Sequence, residues 1–347
     1  MADQHDPKGH LASSPAEMPP PAWKDIIKRT YTRIWDDNVG LVAAGVAFYG
    51  FFALLSLLGL IVLSYGFFAD PVTVIKHMRT LTGVLPTDVA LLIGDQLMTA
   101  VRSSETTKGV GILVAFLVAF YGGTNGAAAV LTALNIAYEE KEKRSLLKFY
   151  VLAVVMTLSA LVIALLALAA TAAVAFLDDL LPRAPLALVV LGKAVGYVIL
   201  MLIAAALAAT LYRIGPSRED ARWEWITPGS LFAAVSWLLL TTGFGYYLAD
   251  FADYGASYGS LGAVVALLTW MYLSAYVFII GAEINSEIEH QTAKDSTTGK
   301  PEPMGRRGAW AADNVATTDE VEDRPEEVRE GEKLTQAQPE LADEKKG

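Results

Sequence analysis

Polar and apolar residues are strongly segregated along this chain, in blocks that are unusually long for a water-soluble protein. Apolar stretches of about twenty residues, the length that crosses a bilayer as a helix, recur six times between residues 39 and 283. Their predicted bounds are 39–67, 109–137, 149–177, 185–212, 228–249 and 260–283. None of them alternates with the period of two that barrel strands require, and an open sheet would leave backbone groups unpaired in lipid. The pattern therefore predicts an all-α integral membrane bundle of six transmembrane helices.

A further helical pattern lies in the long connection between the first two spans. Beyond Pro86, apolar residues recur at helical spacing, while Asp88, Asp95 and Arg102 lie off the apolar stripe. We expect an amphipathic helical segment here on the outer side of the membrane. It would either cap the bundle or lie on the leaflet surface.

The two ends of the chain lack apolar periodicity. Residues 1–24 are rich in proline, and residues 291–347 are acidic, with runs such as DEVEDRPEEVREGEK. Segments of this composition bury too little apolar surface to fold by themselves. We expect a flexible tail over 1–24 and a disordered acidic tail over 291–347, on either side of a single transmembrane domain at 25–290.

The basic residues predict an orientation. Lys and Arg concentrate before the first span, between the second and third, and between the fourth and fifth. These three segments share one side in a six-span arrangement, and the positive-inside rule makes that side cytoplasmic. The first outer connection also holds four basic residues, but at about forty residues it is long enough for the rule to weaken. Both termini are therefore expected in the cytoplasm.

The composition of the chain limits the kinds of partner and site that we expect. The chain has 347 residues, 54% of them hydrophobic, with a net charge of −10 and no cysteine. An acidic chain is a poor electrostatic partner for nucleic acid, and disulfides and thiolate metal sites are excluded. The four histidines are scattered at His5, His10, His77 and His290. We expect neither a metal site nor a cofactor, and no enzyme.

Polar residues inside the spans are candidate functional groups, because hydrocarbon penalises them. Thr124 and Asn125 lie near the middle of the second span, where they either tie helices together or contact cargo. Lys193, in the fourth span, either reaches the outer headgroups or pairs with Asp250 or Asp253. A pairing would place a charged group at the outer mouth of the bundle.

The sixth span ends on a carboxylate, Glu283, and an amide, Asn285. Glu283 falls about 36 Å of helix rise beyond the outer end of the span, at the cytoplasmic boundary. Other polar residues reach the same depth, which suggests a cytoplasm-facing vestibule rather than a helix that simply emerges into water. The candidate vestibule residues are Asn38, Asn135, Glu139, Arg213, Glu283 and Asn285.

Small residues mark predicted helix contacts, since they let helix backbones approach closely in lipid. Gly122 and Gly126 are four residues apart, as are Gly192 and Gly196. The glycines that we expect to pack helices are Gly122, Gly126, Gly192, Gly196, Gly259, Gly262 and Gly281.

Several segments together resemble the YihY/BrkB family of bacterial inner-membrane proteins. They are AAGVAFYGFFALLSLL, ALNIAYEEKEKRS, LYRIGP, WITPGSLFAAVSW and YGSLGAVVALLTWMYLSAYVFIIGAEINSE, within about 25–290. The family's YGS-G and GAE-N positions fall here on Tyr258, Gly259, Ser260, Gly262, Gly281, Ala282, Glu283 and Asn285. Where the family usually has a proline in the first span, this chain has Gly59. The resemblance implies an inner-membrane protein with six spans and cytoplasmic termini.

The resemblance implies a function only loosely. One branch of the family is named for virulence and serum resistance, and a role in moving lipid or glycolipid has been suspected. A former ribonuclease label disagrees with the residues, because the histidines cannot form one metal site. We expect a transporter or flippase-like protein for a lipid or other amphipathic envelope component. The alternative is a non-transporting scaffold or regulator of envelope assembly. Expected partners are membrane lipids, and either a second copy or an envelope-assembly protein.

Overall fold

A computed structural model describes residues 6–68, 105–180, 186–250 and 260–316, and the regular elements in these ranges are helices. They are α1 (Pro20–Asp36), α2 (Val39–Phe68), α3 (Glu105–Ala137), α4 (Leu146–Leu180), α5 (Leu186–Ile214), α6 (Trp223–Asp250), α7 (Ser260–His290) and the short α8 (Trp310–Asp313). The all-α prediction is confirmed for this part of the chain, and α2–α7 coincide closely with the six apolar blocks. The amphipathic segment predicted on the outer side lies outside the described residues.

Four of the described helices, α3, α4, α6 and α7, are long and apolar enough to cross a membrane. A fifth span would result if α1 and the first part of α2 were counted together, although they are bent by 62° relative to each other. The protein is thus a helical membrane protein with four or five candidate spans among the described residues.

Helix α7 is at the centre of the described bundle. It packs against α1, α2, α3, α6 and α8, whereas α4 packs mainly on α3 and α5 mainly on α6. A core of buried side chains joins these helices at one end and includes Val39, Leu134, Tyr138, Tyr212 and Ile279. Because α7 touches many neighbours, the polar residues of its last two turns, from Glu283 to His290, are largely buried in protein.

The connections 138–145 and 215–222 and the segment 291–316 meet at one end of the bundle, which we call the polar end. Arg144 Nη2 donates to the carbonyl of Gly215 at 2.9 Å, so the two connections touch. The backbone N–H of Arg222 donates to Ser296 O at 2.9 Å, which attaches the C-terminal segment. These bonds satisfy backbone groups that the helix ends leave unpaired.

Two turns at the polar end have left-handed backbone at residues other than glycine. Glu139 ends α3 with φ 55°, and the bonds from Glu140 N to Asn135 O and from Glu139 N to Ile136 O form a Schellman cap. Asn38 has φ 49° in the turn between α1 and α2. Asparagine tolerates this conformation better than most residues, and it lets the chain bend sharply before α2.

The structure corrects the predicted tails in their described parts. Thr292 Oγ1 donates to Ala12 O at 2.7 Å, and Ala293 N donates to His10 O at 2.8 Å, so the N- and C-terminal segments bind each other. Arg307 is buried and donates to Ala312 O at 2.6 Å. Residues 6–24 and 291–316 therefore pack on the polar end, through these hydrogen bonds and through buried apolar side chains such as Ala12, Met18 and Ala312. The acidic run beyond residue 316 lies outside the described residues.

Candidate functional site

Glu283 lies near the end of α7 and is almost completely buried, with 1% of its surface exposed. It lies close to Asp37, in the turn between α1 and α2. Two ionised carboxylates at close range repel each other, so a proton on one of them would relieve the repulsion. Oε1 of Glu283 has no hydrogen-bond partner within the described residues. The buried Glu283 and the partly buried Asp37 therefore form an acidic pair.

Glu287, one turn further along α7, is paired with two arginines of α1. The Nε of Arg29 lies 2.5 Å from its Oε2, and the Nε of Arg33 lies 3.2 Å from its Oε1. Arg33 also pairs with Glu139 at the end of α3. Because Glu283 and Glu287 are one turn apart, as are Arg29 and Arg33, the facing sides of α7 and α1 carry complementary rows of charge. The acidic site is thus adjacent to a buried ionic network.

The C-terminal segment covers this network. Trp310 packs on His290 with 4.9 Å between ring centroids, and the Arg33 guanidinium lies 5.5 Å from the Trp310 ring. The backbone N–H of Trp310 donates to Glu140 Oε1 at 2.6 Å, and Ala316 N donates to His290 O at 2.8 Å. Excluding water in this way strengthens the electrostatic interactions beneath.

A second buried ion pair joins the connection 215–222 to the end of α7. Arg218 Nη2 donates to both carboxylate oxygens of Glu289, at 2.8 and 2.9 Å, and both side chains are fully buried. Ser296 Oγ donates to the same carboxylate at 2.8 Å, and the guanidinium lies 4.6 Å from the centroid of the Tyr138 ring. Burial by itself would lower the pKa of Arg218, but the Glu289 carboxylate outweighs it and raises the pKa.

Asn285 ties α7 to α6. Its Nδ2 donates to Ile226 O at 2.9 Å, and its Oδ1 accepts from the backbone N–H of Gly229 at 2.7 Å. Pro228 lies between these two residues and removes a donor from the helix ladder. The amide therefore bridges the backbone on either side of Pro228, which is a structural role at a position that we expected in a vestibule.

Two more of the predicted vestibule residues bind the connections. Asn135 Nδ2 donates to Glu142 at 2.9 Å, and its Oδ1 accepts from Ser217 N at 2.7 Å. Arg213 lies 3.4 Å from Asp220, with its guanidinium 4.6 Å from the Trp223 ring centroid.

The six predicted vestibule residues therefore have different surroundings. Asn135, Glu283 and Asn285 are buried at the polar end, Glu139 is partly buried, and Asn38 is exposed. Of this set, Asn135, Glu139, Arg213 and Asn285 bond to other residues of the polar end, and Glu283 alone keeps an unpaired buried oxygen. That these residues line a vestibule stays a prediction.

The predicted mid-membrane residues are only partly described. Thr124 is buried, and its hydroxyl has no partner among the described residues, while Asn125 donates to Tyr121 O of its own helix at 2.8 Å. The side chains of Lys193 and Asp250, and all of Asp253, lie outside the described residues. The proposed charged group at the outer mouth stays a prediction.

Some of the glycines predicted to pack helices do contact a neighbouring helix, and others do not. A Cβ at Gly281 would lie 2.6 Å from Gly229 O, and one at Gly122 would lie 3.1 Å from the Ala53 backbone. Gly126 makes ordinary contact with the backbone of α2, and Gly262 is half-buried in the first turn of α7.

The other predicted packing glycines do not make such contacts within the described structure. No atom of the described residues lies within 4 Å of a Cβ built at Gly192 or Gly196. That Gly192 and Gly196 pack helices stays a prediction. Gly259 lies outside the described residues.

A cavity of about 470 Å³ lies between α5 and α6. It is mostly apolar, with two threonine hydroxyls, and Trp270 Nε1 donates to one of them, Thr241, at 3.2 Å. Its lining residues are Leu200, Trp237, Leu238, Thr241, Thr242, Gly245 and Tyr246. An apolar cavity with few polar groups suits a hydrocarbon chain better than a charged solute.

The sequence did not reveal that Asp37 lies beside Glu283 or that Arg218 pairs with Glu289. It also did not reveal that Arg29 and Arg33 pair with Glu287. The sequence did contain one indication of the ion pairs between α1 and α7. Basic residues spaced by four precede the first span, and carboxylates spaced by four end the last span. Only proximity in space shows that the two rows face each other.

The comparisons with known proteins agree with this architecture. The sequence profile of the family described as Virulence factor BrkB matches residues 30–305. The chain belongs to the BrkB family. The matched range extends beyond the predicted end of the transmembrane domain at residue 290 and includes much of the C-terminal segment that packs on the polar end.

Relatives of the BrkB-family chain carry two kinds of name. It is 30% identical over 240 residues to the ribonuclease-like protein YfkH of Bacillus subtilis, covering 65% of this chain and 86% of YfkH. It is 35% identical over 78 residues to a UPF0761 membrane protein of Tolumonas auensis, covering 22% of this chain and 26% of that protein. A UPF0761 membrane protein of Ralstonia nicotianae is 35% identical over 120 residues, 35% of this chain and 24% of that protein. No solved structure matches the chain.

Proposed function

We propose that this protein is a transporter or flippase-like protein of the bacterial inner membrane that moves a lipid or other amphipathic envelope component. In this proposal α2–α7 cross the membrane six times, and the polar end faces the cytoplasm with both termini. The support for this orientation is the excess of Lys and Arg in the segments that meet there.

The observation that carries the proposal is the buried acidic pair of Glu283 and Asp37. A buried carboxyl group beside a second one is costly, and such groups are frequent at functional sites. Here the pair lies at the junction of α1, α2 and α7, the helix that most of the others touch. A proton that enters or leaves this pair changes the charge at that junction, and Arg33 and Glu287 lie next to it.

This change of charge can favour one packing arrangement of the helices over another. Movement of cargo would then be coupled to binding and release of a proton. The apolar cavity between α5 and α6 supports a lipid-like cargo. We propose no enzymatic step, no cofactor and no nucleic-acid partner.

A scaffold or regulator of envelope assembly is the second candidate. It is favoured by Asn285, Asn135 and Arg218, whose polar atoms tie helices and connections together. If Glu283 plays the same part, the polar end is a rigid platform for a second copy or an envelope-assembly protein. The two candidates differ in what replacement of Glu283 does.

The test is lipid movement in liposomes that contain the purified protein. The Glu283→Gln variant keeps the side-chain shape but cannot ionise, and Glu224→Gln is the matched control because Glu224 is a half-exposed carboxylate at the same end. Labelled phospholipid and a lipid A precursor are followed between leaflets, with and without a pH gradient.

We expect the parent and Glu224→Gln to move lipid and Glu283→Gln to lose most of that activity while its melting temperature is retained. If neither the parent nor any variant moves lipid, and all are well folded, the transporter proposal fails and the scaffold is favoured. Equal movement by the parent and Glu283→Gln would instead refute the role of the acidic pair.

A further inference from the structure

Helix α1 has one face in the protein and another with no protein cover. Its buried face consists of Ala22, Ile26, Thr30 and Arg33, and it packs on α7. On another side, Ile27, Tyr31 and Trp35 are 66%, 63% and 65% exposed. These three residues are spaced by four, so they form one ridge along the helix. Large apolar side chains in such a ridge are unfavourable in water.

The position of the ridge relative to α2 points to the membrane surface. Helix α1 is bent by 62° from the first part of α2, which begins only three residues after α1 ends. Leu41 and Phe48 on α2 are 76% and 60% exposed, as expected of side chains that face lipid. If α2 enters the bilayer there, α1 lies nearer to the membrane plane than to its normal, at the level of the headgroups.

Other helices expose apolar side chains at the same end. Leu146 and Leu147, in the first turn of α4, are 79% and 76% exposed, and Trp223, at the start of α6, is 52% exposed. Because the exposed residues belong to several helices, a bilayer boundary explains them more simply than a single protein contact. Aromatic side chains are enriched at this boundary.

The charges beside the ridge fit an anionic surface. Lys24 and Lys28 are exposed, and each precedes a ridge residue by three positions, on the same side of the helix. Thr32 and Asp36 continue the row of Lys24 and Lys28 at a spacing of four, so this polar row runs along one side of the ridge. Amphipathic helices with aromatic and basic residues arranged in this way bind the interface of membranes that contain acidic lipids.

We propose that α1 is an interfacial helix that binds the anionic phospholipid surface adjoining the polar end. Ile27, Tyr31 and Trp35 insert at the boundary between headgroups and acyl chains, and Lys24 and Lys28 bind lipid phosphates. The opposite face of the helix holds Arg29 and Arg33 against Glu287. Membrane binding by α1 thereby positions the arginines next to the buried acidic pair. The inference concerns lipid binding and stands whether or not the protein transports lipid.

The absence of cysteine from the chain allows a direct test. Single cysteines are introduced as Ile27→Cys, Tyr31→Cys and Trp35→Cys, with Thr32→Cys and Asp36→Cys as controls in the polar row beside the ridge. Each is labelled with a nitroxide in the full-length protein, in nanodiscs of phosphatidylethanolamine with phosphatidylglycerol. Collision rates with oxygen, which concentrates in lipid, and with a water-soluble nickel complex are then compared.

We expect the three ridge positions to collide several-fold more with oxygen than with nickel, and the control positions to show the reverse. A Lys24→Gln, Lys28→Gln double variant should reduce this preference in the anionic nanodiscs and leave it unchanged in phosphatidylcholine nanodiscs. Nickel accessibility at the ridge equal to that of Asp36→Cys would overturn the proposal, because the ridge would then lie in water. Low accessibility to both reagents would also overturn it, in favour of a contact with a second copy.

Discussion

The close approach of α6 and α7 at Gly229 and Gly281 should be the most sensitive packing contact of the described bundle. A Cβ added at Gly281 would lie 2.5 Å from Tyr212 Oη, 2.6 Å from Gly229 O and 2.9 Å from Ala233 Cβ. None of these atoms can swing away. The tyrosine hydroxyl is itself held by a 2.6 Å bond to Phe278 O, and the other two atoms belong to α6. Gly281→Ala must therefore push the helices apart.

The size of the effect follows from what that separation disturbs. Overpacking of a close contact costs about 1–3 kcal/mol. The same movement lengthens the two bonds of Asn285 to Ile226 and Gly229, and each buried bond contributes about 0.5–1.5 kcal/mol. We expect Gly281→Ala to lower the free energy of unfolding by about 2–4 kcal/mol.

Gly196→Ala is the matched control, because no described atom lies within 4 Å of the added carbon. Alanine there should be neutral or slightly stabilising, since glycine is the poorer helix former by up to about 1 kcal/mol. Both variants are compared with the parent by unfolding in mixed detergent micelles, followed by circular dichroism. Substitutions at ordinary surface positions change the free energy of unfolding by less than about 0.5 kcal/mol. If the two variants differ in free energy of unfolding by less than this, the close contact of α6 and α7 is refuted.

Two further predictions concern charges at the polar end. Hydrogen bonds from Arg144 lower the pKa of Glu142 to about 2, although partial burial opposes the shift. This interaction therefore stabilises the fold above the ordinary glutamate pKa of about 4.3, and the stabilisation is lost as the pH falls towards 2. Melting temperatures between pH 7 and pH 3 should fall less in Glu142→Gln than in the parent, and parallel curves would contradict this. Arg218→Met leaves Glu289 buried without its cation, so we expect a loss of about 3–5 kcal/mol and faster proteolysis of 291–316. If the additional change Glu289→Gln restores stability, the uncompensated charge of Glu289 is the cause of the loss. An unaltered cleavage rate in Arg218→Met would contradict the attachment of segment 291–316 through this ion pair.

Sequence and structure agree best where the signal is local. The apolar blocks predict helices α2–α7 nearly to their ends, because the length of a hydrocarbon-compatible segment is a property of consecutive residues. The tails show the limit of the same reasoning. Composition indicates disorder over 291–316, yet this segment is ordered by bonds to groups far away in the chain, such as those between Thr292 and Ala12.

The sequence by itself determined that this is a helical membrane protein and that Glu283 ends an apolar helix. Only the tertiary structure decided what each polar residue does. Glu283 and Asn285 are two positions apart, but one lies beside Asp37 with an oxygen left unpaired and the other binds the α6 backbone on either side of Pro228. The physical reason is that consecutive positions on a helix face different neighbours, and α7 is surrounded by several. Its sequence pattern cannot show which neighbour each side chain meets.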